Sequence, residues 1–229
     1  MNPFNEIFVQ CVQAGEKVLM SAASNVAVDN LGERLVQEGI KVIRVGYPAR
    51  VSEGMLEHSL SHKIQRKKEA LEETKMDLEK IRNDIQNRGK KRRKPELMTQ
   101  LKSLQKKRNE QKLAVDKLSK SHLLDASVVL GTLIGCRERG PLNLLPEDHF
   151  QTCVIDECGQ SLEMACWIVI PRAPRLILAG DHHQLPPTVI TKNQEAAKKL
   201  SISLMERLRD RFFYGKDAVF HMLNVRMMD

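Results

Sequence analysis

Five short runs of β-branched and aliphatic residues, each continuous rather than alternating, constrain this chain more than any other feature. They read KVLMSA (17–22), KVIRVG (41–46), SVVLGTL (127–133), TCVIDE (152–157) and RLILAGD (175–181). A strand with one wet face alternates apolar and polar residues, whereas a continuous apolar run suits a parallel sheet covered on both faces. Between the first two runs, SNVAVDNLGERLVQEG offers Ser24 or Asn25 as a cap, a stripe of Val28, Leu31 and Leu35, and Gly39 as a stop. Between the last two, SLEMACWIVI (161–170) predicts a helix that stops before Pro171. Strand, helix and strand in repetition predict an α/β fold with right-handed crossovers.

Residues 60–122 interrupt this rhythm. Ile64, Leu71, Leu78 and Ile85 stand at seven-residue spacing, with Ile81 beside the seam. After NRGKKRRKPE, a similar register continues through Leu97, Leu101, Leu104, Val115 and Leu118. Two long helices joined by a basic turn predict an antiparallel hairpin projecting from the sheet domain. Charge marks the same segment. It holds 20 Lys and Arg against 9 Asp and Glu, while the rest of this +8 chain holds 17 against 20. Such an arm attracts phosphates through counterion release; the plainer readings are a solvated coil or a nuclear-localisation run at GKKRRKP. The expected organisation is a first part of the sheet domain at 1–59, a basic helical hairpin at 60–122, and the rest of the sheet domain at 123–229.

Other classes are set aside by local composition. MNPFNEIFVQCV lacks the basic start and long apolar stretch of a signal peptide, and no run reaches membrane-spanning length, so no membrane partner is expected. Cys11, Cys136, Cys153, Cys158 and Cys166 form no CxxC pair, and their setting predicts reduced, buried thiols in a cytosolic or nuclear protein. A zinc site from His149, Cys153 and Cys158 is an alternative whose spacing fits no common ligand pattern.

Two segments could carry chemistry. VIDECGQ ends an apolar run on Asp156 and Glu157, a pair that can serve a metal ion and an attacking water in nucleoside-triphosphate hydrolases, or be no more than a cap or a solvated turn. LILAGDHHQLPPT places Asp181, His182, His183 and Gln184 after the next run. Sites in open α/β sheets lie at the carboxyl ends of strands, so both segments converge on one edge. A rival reading is a metal-dependent hydrolase site built from Asp156, Asp181, His182 and His183.

AASNVAVDNL, VVLGTLIG, VIDECGQ and LAGDHHQLPPT, in this order, resemble motifs Ia, Ic, II and III of superfamily 1 helicases. SISLMERL (201–208) and YPARVSEGMLEHSL (47–60) are similar to the branch containing immunoglobulin mu-binding protein 2 and the nonsense-mediated-decay helicase. The resemblance implies a RecA-like P-loop NTPase sheet and an ATP-dependent DNA or RNA helicase moving 5′ to 3′, with ATP and Mg²⁺ as cofactors. By it, Asp156 would hold Mg²⁺, Glu157 would be the catalytic base, and Gln184 would sense the γ-phosphate, with Asp181 beside them in the nucleotide site. Ser24, Asn25 and Thr132 would contact the backbone of single-stranded DNA or RNA. The hairpin, with Lys90, Lys91, Arg92, Arg93 and Lys94 at its turn, would grip nucleic acid. Ribosome-associated or other nucleoprotein complexes, and a place in cytoplasm and nucleus, are further implications.

An acid pair of this kind works with a G-x-x-x-x-G-K-[ST] loop, which supplies a backbone cradle and a lysine for phosphates. Gly89–Lys90 and Gly215–Lys216 are the Gly–Lys pairs, and neither fits. FNEIFVQCVQAGEKVL resembles the last turns of the helix that follows such a loop. HMLNVRMMD resembles a motif whose arginine, here Arg226, reaches the γ-phosphate, though without the Gln-Tyr pair before it. The expectation is a helicase core domain cut at both ends, inactive and weakly stable alone, with sheet edges left unpaired and poor ATP binding. The alternative is a non-catalytic nucleic-acid-binding module that has lost ATP use.

Overall fold

The computed structural model describes residues 3–87, 95–181 and 184–212. All five apolar runs form strands, each trimmed at its ends: β1 (Val18–Ala22), β2 (Val42–Arg44), β3 (Val128–Thr132), β4 (Thr152–Asp156) and β5 (Arg175–Leu178). They make one parallel sheet in the order β2-β3-β1-β4-β5. The parallel α/β sheet expected from the runs is therefore observed, in keeping with the RecA-like class that the resemblance implies. β1 to β4 are buried along their length except at two carboxyl ends, Thr132 and Asp156, which are half-buried. β5 differs: it has a strand neighbour on one side among the described residues, Arg175 is exposed, and Leu176, Ile177 and Leu178 are half-buried.

The helices are α1 (Pro3–Gln13), α2 (Asn25–Gln37), α3 (Leu60–Lys63), α4 (Gln65–Asn87), α5 (Pro95–Asp125), α6 (Glu163–Cys166), α7 (Gln194–Leu200) and α8 (Leu204–Phe212). Alternate strand residues feed two apolar layers. On one face Val18, Met20, Val128, Leu130 and Val154 pack against Phe8 and Cys11 of α1 and Val28, Leu31 and Leu35 of α2. On the other, Leu19, Ile43, Val129, Cys153 and Ile155 meet Leu123 of α5, Phe150, Val169 and Leu204. Full burial of each such side chain stabilises by roughly 1.5–3 kcal/mol, so the two-sided core explains why the runs do not alternate. α2 starts where its sequence predicts: Ser24 Oγ accepts from the Ala27 amide at 3.0 Å, and Gly39 follows its end at φ 75°, the left-handed turn that glycine allows.

A buried charge pair ties α2 to β2. Arg44 is 1% exposed; its Nε donates to Asp29 Oδ1 at 2.7 Å and its Nη2 to Asn25 Oδ1 at 2.8 Å. Asp29 Oδ2 also accepts from the Ser52 amide at 2.7 Å. Each charge is thus matched by geometry, the condition under which a buried pair is tolerated.

Residues 161–170 do not form the predicted long helix. Leu162 is extended and forms an antiparallel bridge with Ser203, while Pro171 lacks an amide to continue from the other side. One helical turn, α6, fits between them, followed by a 3-10 turn at Ile170–Arg172. The expected arm is described except for its turn, residues 88–94. α4 and α5 pack together, and α5, at 31 residues, spans about 45 Å. Leu71 and Leu78 are buried in the seam, and Ile81, Ile85, Leu97, Leu101 and Leu104 are half-buried, so the seam opens away from the sheet. Ile64 departs from the heptad reading: it stands at the break between α3 and α4 and joins the sheet-domain core. α5 likewise continues past residue 122 to bury Leu123 there. Among the described residues, no helix is long and apolar enough to cross a membrane.

Candidate active site at the carboxyl edge of the sheet

Register fixes one row of residues along the sheet edge. Ala22 of β1 pairs with Thr132 of β3 on one side and Asp156 of β4 on the other. The acid segment and the hydroxyl and amide segments are therefore neighbours on a common edge, as strand order alone requires.

On the β4 side the chain turns sharply. Glu157 has φ 51° and ψ 36°, a left-handed conformation that costs a non-glycine residue roughly 1–3 kcal/mol and clusters at functional sites. Its amide donates to Asp156 Oδ1 at 2.9 Å. The turn starts a 3-10 segment, Cys158–Gln160, in which residues three apart eclipse. Gln160 is thereby stacked over Glu157, and its Nε2 donates to Glu157 Oε2 at 3.0 Å and to Gln184 Oε1 at 3.2 Å. This amide physically joins the two segments; the sequence reading did not single it out, although its i, i+3 spacing from Glu157 is a usable signal.

Backbone packing holds the two loops together. A Cβ on Gly159 would stand 2.9 Å from the Asp181 carbonyl oxygen, and one on Gly180 would stand 3.0 Å from the Cys158 and Gly159 amides. The Cys158 amide donates to Ala179 O and the Ala179 amide to Ile155 O, both at 2.8 Å, so β4 and β5 stay joined past their regular ends. α8, whose first turns carry the LMERL of SISLMERL, backs this junction through buried Leu204, through Met205 against Gly180, and through Arg207, which donates to both Glu163 oxygens at 2.8 and 2.5 Å.

Burial pushes the Asp156 carboxyl above the usual carboxylate range. The Glu157 amide draws it partly back, the Glu157 charge raises it, and Arg34 lowers it. Such a carboxylate has an unmet demand for positive charge. No group of three or more His, Cys, Asp or Glu among the described residues could hold a metal ion. Asp156 and Glu157 offer the one or two carboxylates through which Mg²⁺ binds, its shell otherwise completed by water and phosphate. The zinc alternative at His149, Cys153 and Cys158 finds no such group, and burial pushes the Cys153 thiol up to about 12, away from the thiolate that zinc requires. All five cysteines are free and buried, as expected. For the metal-hydrolase alternative, His182 and His183 lie outside the described residues; Asp181 is exposed and its carbonyl accepts from the Gln184 amide at 3.3 Å.

On the β1–β3 side each polar oxygen already accepts a bond: Ser24 Oγ from Ala27 N, Asn25 Oδ1 from Arg44, and Thr132 Oγ1 from Gly135 N at 3.1 Å. Among the described residues, the hydroxyl hydrogens and the Asn25 amide hydrogens have no acceptor assigned. Donors are what a phosphate oxygen takes, and contacts of this kind position a strand without reading its sequence. Lys90, Lys91, Arg92, Arg93, Lys94 and Arg226 lie outside the described residues.

Comparison with known proteins places the chain as a whole. The model of a family described as AAA domain matches residues 5–192. DNA-binding protein SMUBP-2 of Mesocricetus auratus is 43% identical over 223 residues, which cover 96% of this chain and 22% of the relative. DNA polymerase alpha-associated DNA helicase A of Schizosaccharomyces pombe is 33% identical over 207 residues, 89% of this chain and 29% of the relative. ATP-dependent helicase upf1 of the same yeast is 32% identical over 200 residues, 83% of this chain and 19% of the relative. The chain thus spans between about a fifth and a third of the length of these relatives.

Proposed function

The chain belongs to the AAA domain family, in the superfamily 1 helicase branch of SMUBP-2 and Upf1, and from that premise we propose that it is the core of an ATP-driven motor acting on single-stranded DNA or RNA. The observation that carries the proposal is the Gln160 amide, shared between Glu157 and Gln184. A base and a phosphate-facing amide joined through one side chain are placed to respond together to the same nucleotide.

In this reading Asp156 holds Mg²⁺, which supplies charge neutralisation on the phosphates of ATP. Glu157 accepts a proton from the attacking water, its carboxylate held by Gln160 Nε2. Gln184 orients the water or the γ-phosphate, Asp181 lies beside it, and Arg226 contributes a cation from further along the chain. Ser24, Asn25 and Thr132 carry the strand's phosphates on the neighbouring part of the edge, and the hairpin of 60–122 supplies the wider grip. Movement 5′ to 3′, association with ribosomes or other nucleoproteins, and residence in cytoplasm and nucleus belong to the same proposal.

The 229 residues contain no G-x-x-x-x-G-K-[ST] segment. That observation favours a second reading for these residues by themselves: nucleic-acid binding without ATP turnover. The test is ATP hydrolysis by the native protein, with and without single-stranded DNA or RNA. Glu157→Gln is expected to lower the stimulated rate by about 10²–10⁴-fold while nucleotide still binds. A Glu157→Gln protein that hydrolyses ATP like its parent, or a parent that does not hydrolyse it, rejects catalysis and leaves binding alone.

A further inference from the structure

Tyr47 is an exposed aromatic that the site described above does not use. Its side chain is 72% exposed in a chain whose residues are 4% aromatic, so a ring left in water here calls for a reason. The backbone presenting it is fixed. Gly46 O accepts from Ser61 Oγ at 3.3 Å, Tyr47 O accepts from the Arg50 amide at 3.0 Å, and Pro48 stiffens the turn. Tyr47 follows β2 on the same edge as Thr132, because the Val45 amide donates to Leu130 O at 2.7 Å and carries β2 alongside β3 to its carboxyl end.

The bond to Ser61 also places Tyr47 beside the root of the arm. There, a groove of about 660 Å³ is lined by His62, Lys63, Gln65, Arg66, Lys67 and Glu69, and closed by Leu118 of α5. Glu69 accepts from Gln65 at 2.8 Å. Among the described residues, no ion pair neutralises Lys63, Arg66 or Lys67. Through the Gly46–Ser61 bond an exposed aromatic residue and a groove that begins at His62 are close along the chain; a ring and a run of cations together hold single strands, bases stacking on the one and phosphates lying along the other.

We propose that Tyr47 is a stacking platform for an unpaired base of a single-stranded nucleic acid, and that the groove at the root of the arm takes the adjoining phosphates. This extends the line of Ser24, Asn25 and Thr132 across β2 to the arm, and it rests on the nucleic-acid reading of that line. Stacking tolerates any base, so the platform holds the strand without specifying sequence.

The test is fluorescence anisotropy of the whole chain with a labelled oligothymidine over a series of salt concentrations. Tyr47→Ala is expected to weaken Kd by about 5- to 100-fold with the salt slope unchanged, because the ring carries no charge. Tyr47→Phe keeps the π face and stays within about twofold of the parent. Arg66→Gln combined with Lys67→Gln weakens binding and flattens the slope by about 0.7 for each phosphate that is no longer neutralised. Binding of Tyr47→Ala at parental strength, or of Tyr47→Phe as weakly as Tyr47→Ala, overturns the platform. If Thr132→Val weakens binding while Tyr47→Ala does not, the nucleic-acid reading stands and the platform alone falls; if the parent fails to bind, both fall.

Discussion

At the scale of single residues, the site turns on one carboxyl. Burial lifts Asp156 above the ordinary carboxylate range, so the folded chain holds this proton more tightly than the unfolded one. Between the two values the folded state binds more protons, and by linkage stability rises as pH falls through that window and is lower above it. Asp156→Asn keeps the acceptor for the Glu157 amide and removes the charge that burial disfavours. It should raise Tm near pH 7 and flatten the pH dependence of Tm in the mildly acidic range, and, in the proposed reading, abolish Mg²⁺-dependent nucleotide binding. Thermal denaturation across that range checks the sign; a lower Tm for Asp156→Asn would mean that local bonds outweigh desolvation. The acids themselves were legible in VIDECGQ, since an apolar run ending on two carboxylates is costly without a partner. The left-handed turn at Glu157 was not, because no glycine marks it, nor was the role of Gln160, which depends on the fold setting Gln184 against it.

At the scale of elements, continuous apolar runs made the strands legible, and the cap at Ser24 and stop at Gly39 fixed α2. What escaped is what depends on distant partners. The short α6 follows from Leu162 bridging Ser203, some forty residues away, and Ile64 leaves the arm's register because the sheet domain offers it a deeper site. The same dependence governs the two site loops, which meet at Gly159 and Gly180. A methyl on Gly159 would press on the Asp181 carbonyl, which is backbone and yields only if the whole loop moves. Gly159→Ala should therefore cost about 1–3 kcal/mol in denaturant unfolding. It should also loosen the second loop, and hydrogen exchange at the Gln184 amide, now bonded to Asp181 O, should quicken. Unchanged exchange there would show that the loops are not held by this contact.

For the whole molecule, charge and topology divide the labour. Residues 60–122 carry 20 basic against 9 acidic side chains and the remainder 17 against 20, so a mildly acidic body bears a basic arm. The arm's root pairs with the carboxyl end of β2, on the edge that also presents Thr132 and Asp156, so in the proposed reading a phosphate strand drawn to the arm meets that edge. The basic arm and the candidate acids thus share one side of the sheet; composition marks the arm, and only strand order joins it to the acids. The charges of the segment between α4 and α5 give the division a quantitative test. Each phosphate neutralised on a single strand adds about 0.7 to the slope of log affinity against log salt. Replacing Lys90, Lys91, Arg92, Arg93 and Lys94 with Gln should then lower the slope by up to about 3.5 if all five contact the strand, and weaken binding most at low salt. Stacking and hydrogen bonding at the body survive, so the affinities of parent and variant should converge as salt rises. A slope that does not move would put the strand's path on the arm's root and the sheet edge alone, and leave these five charges some other role.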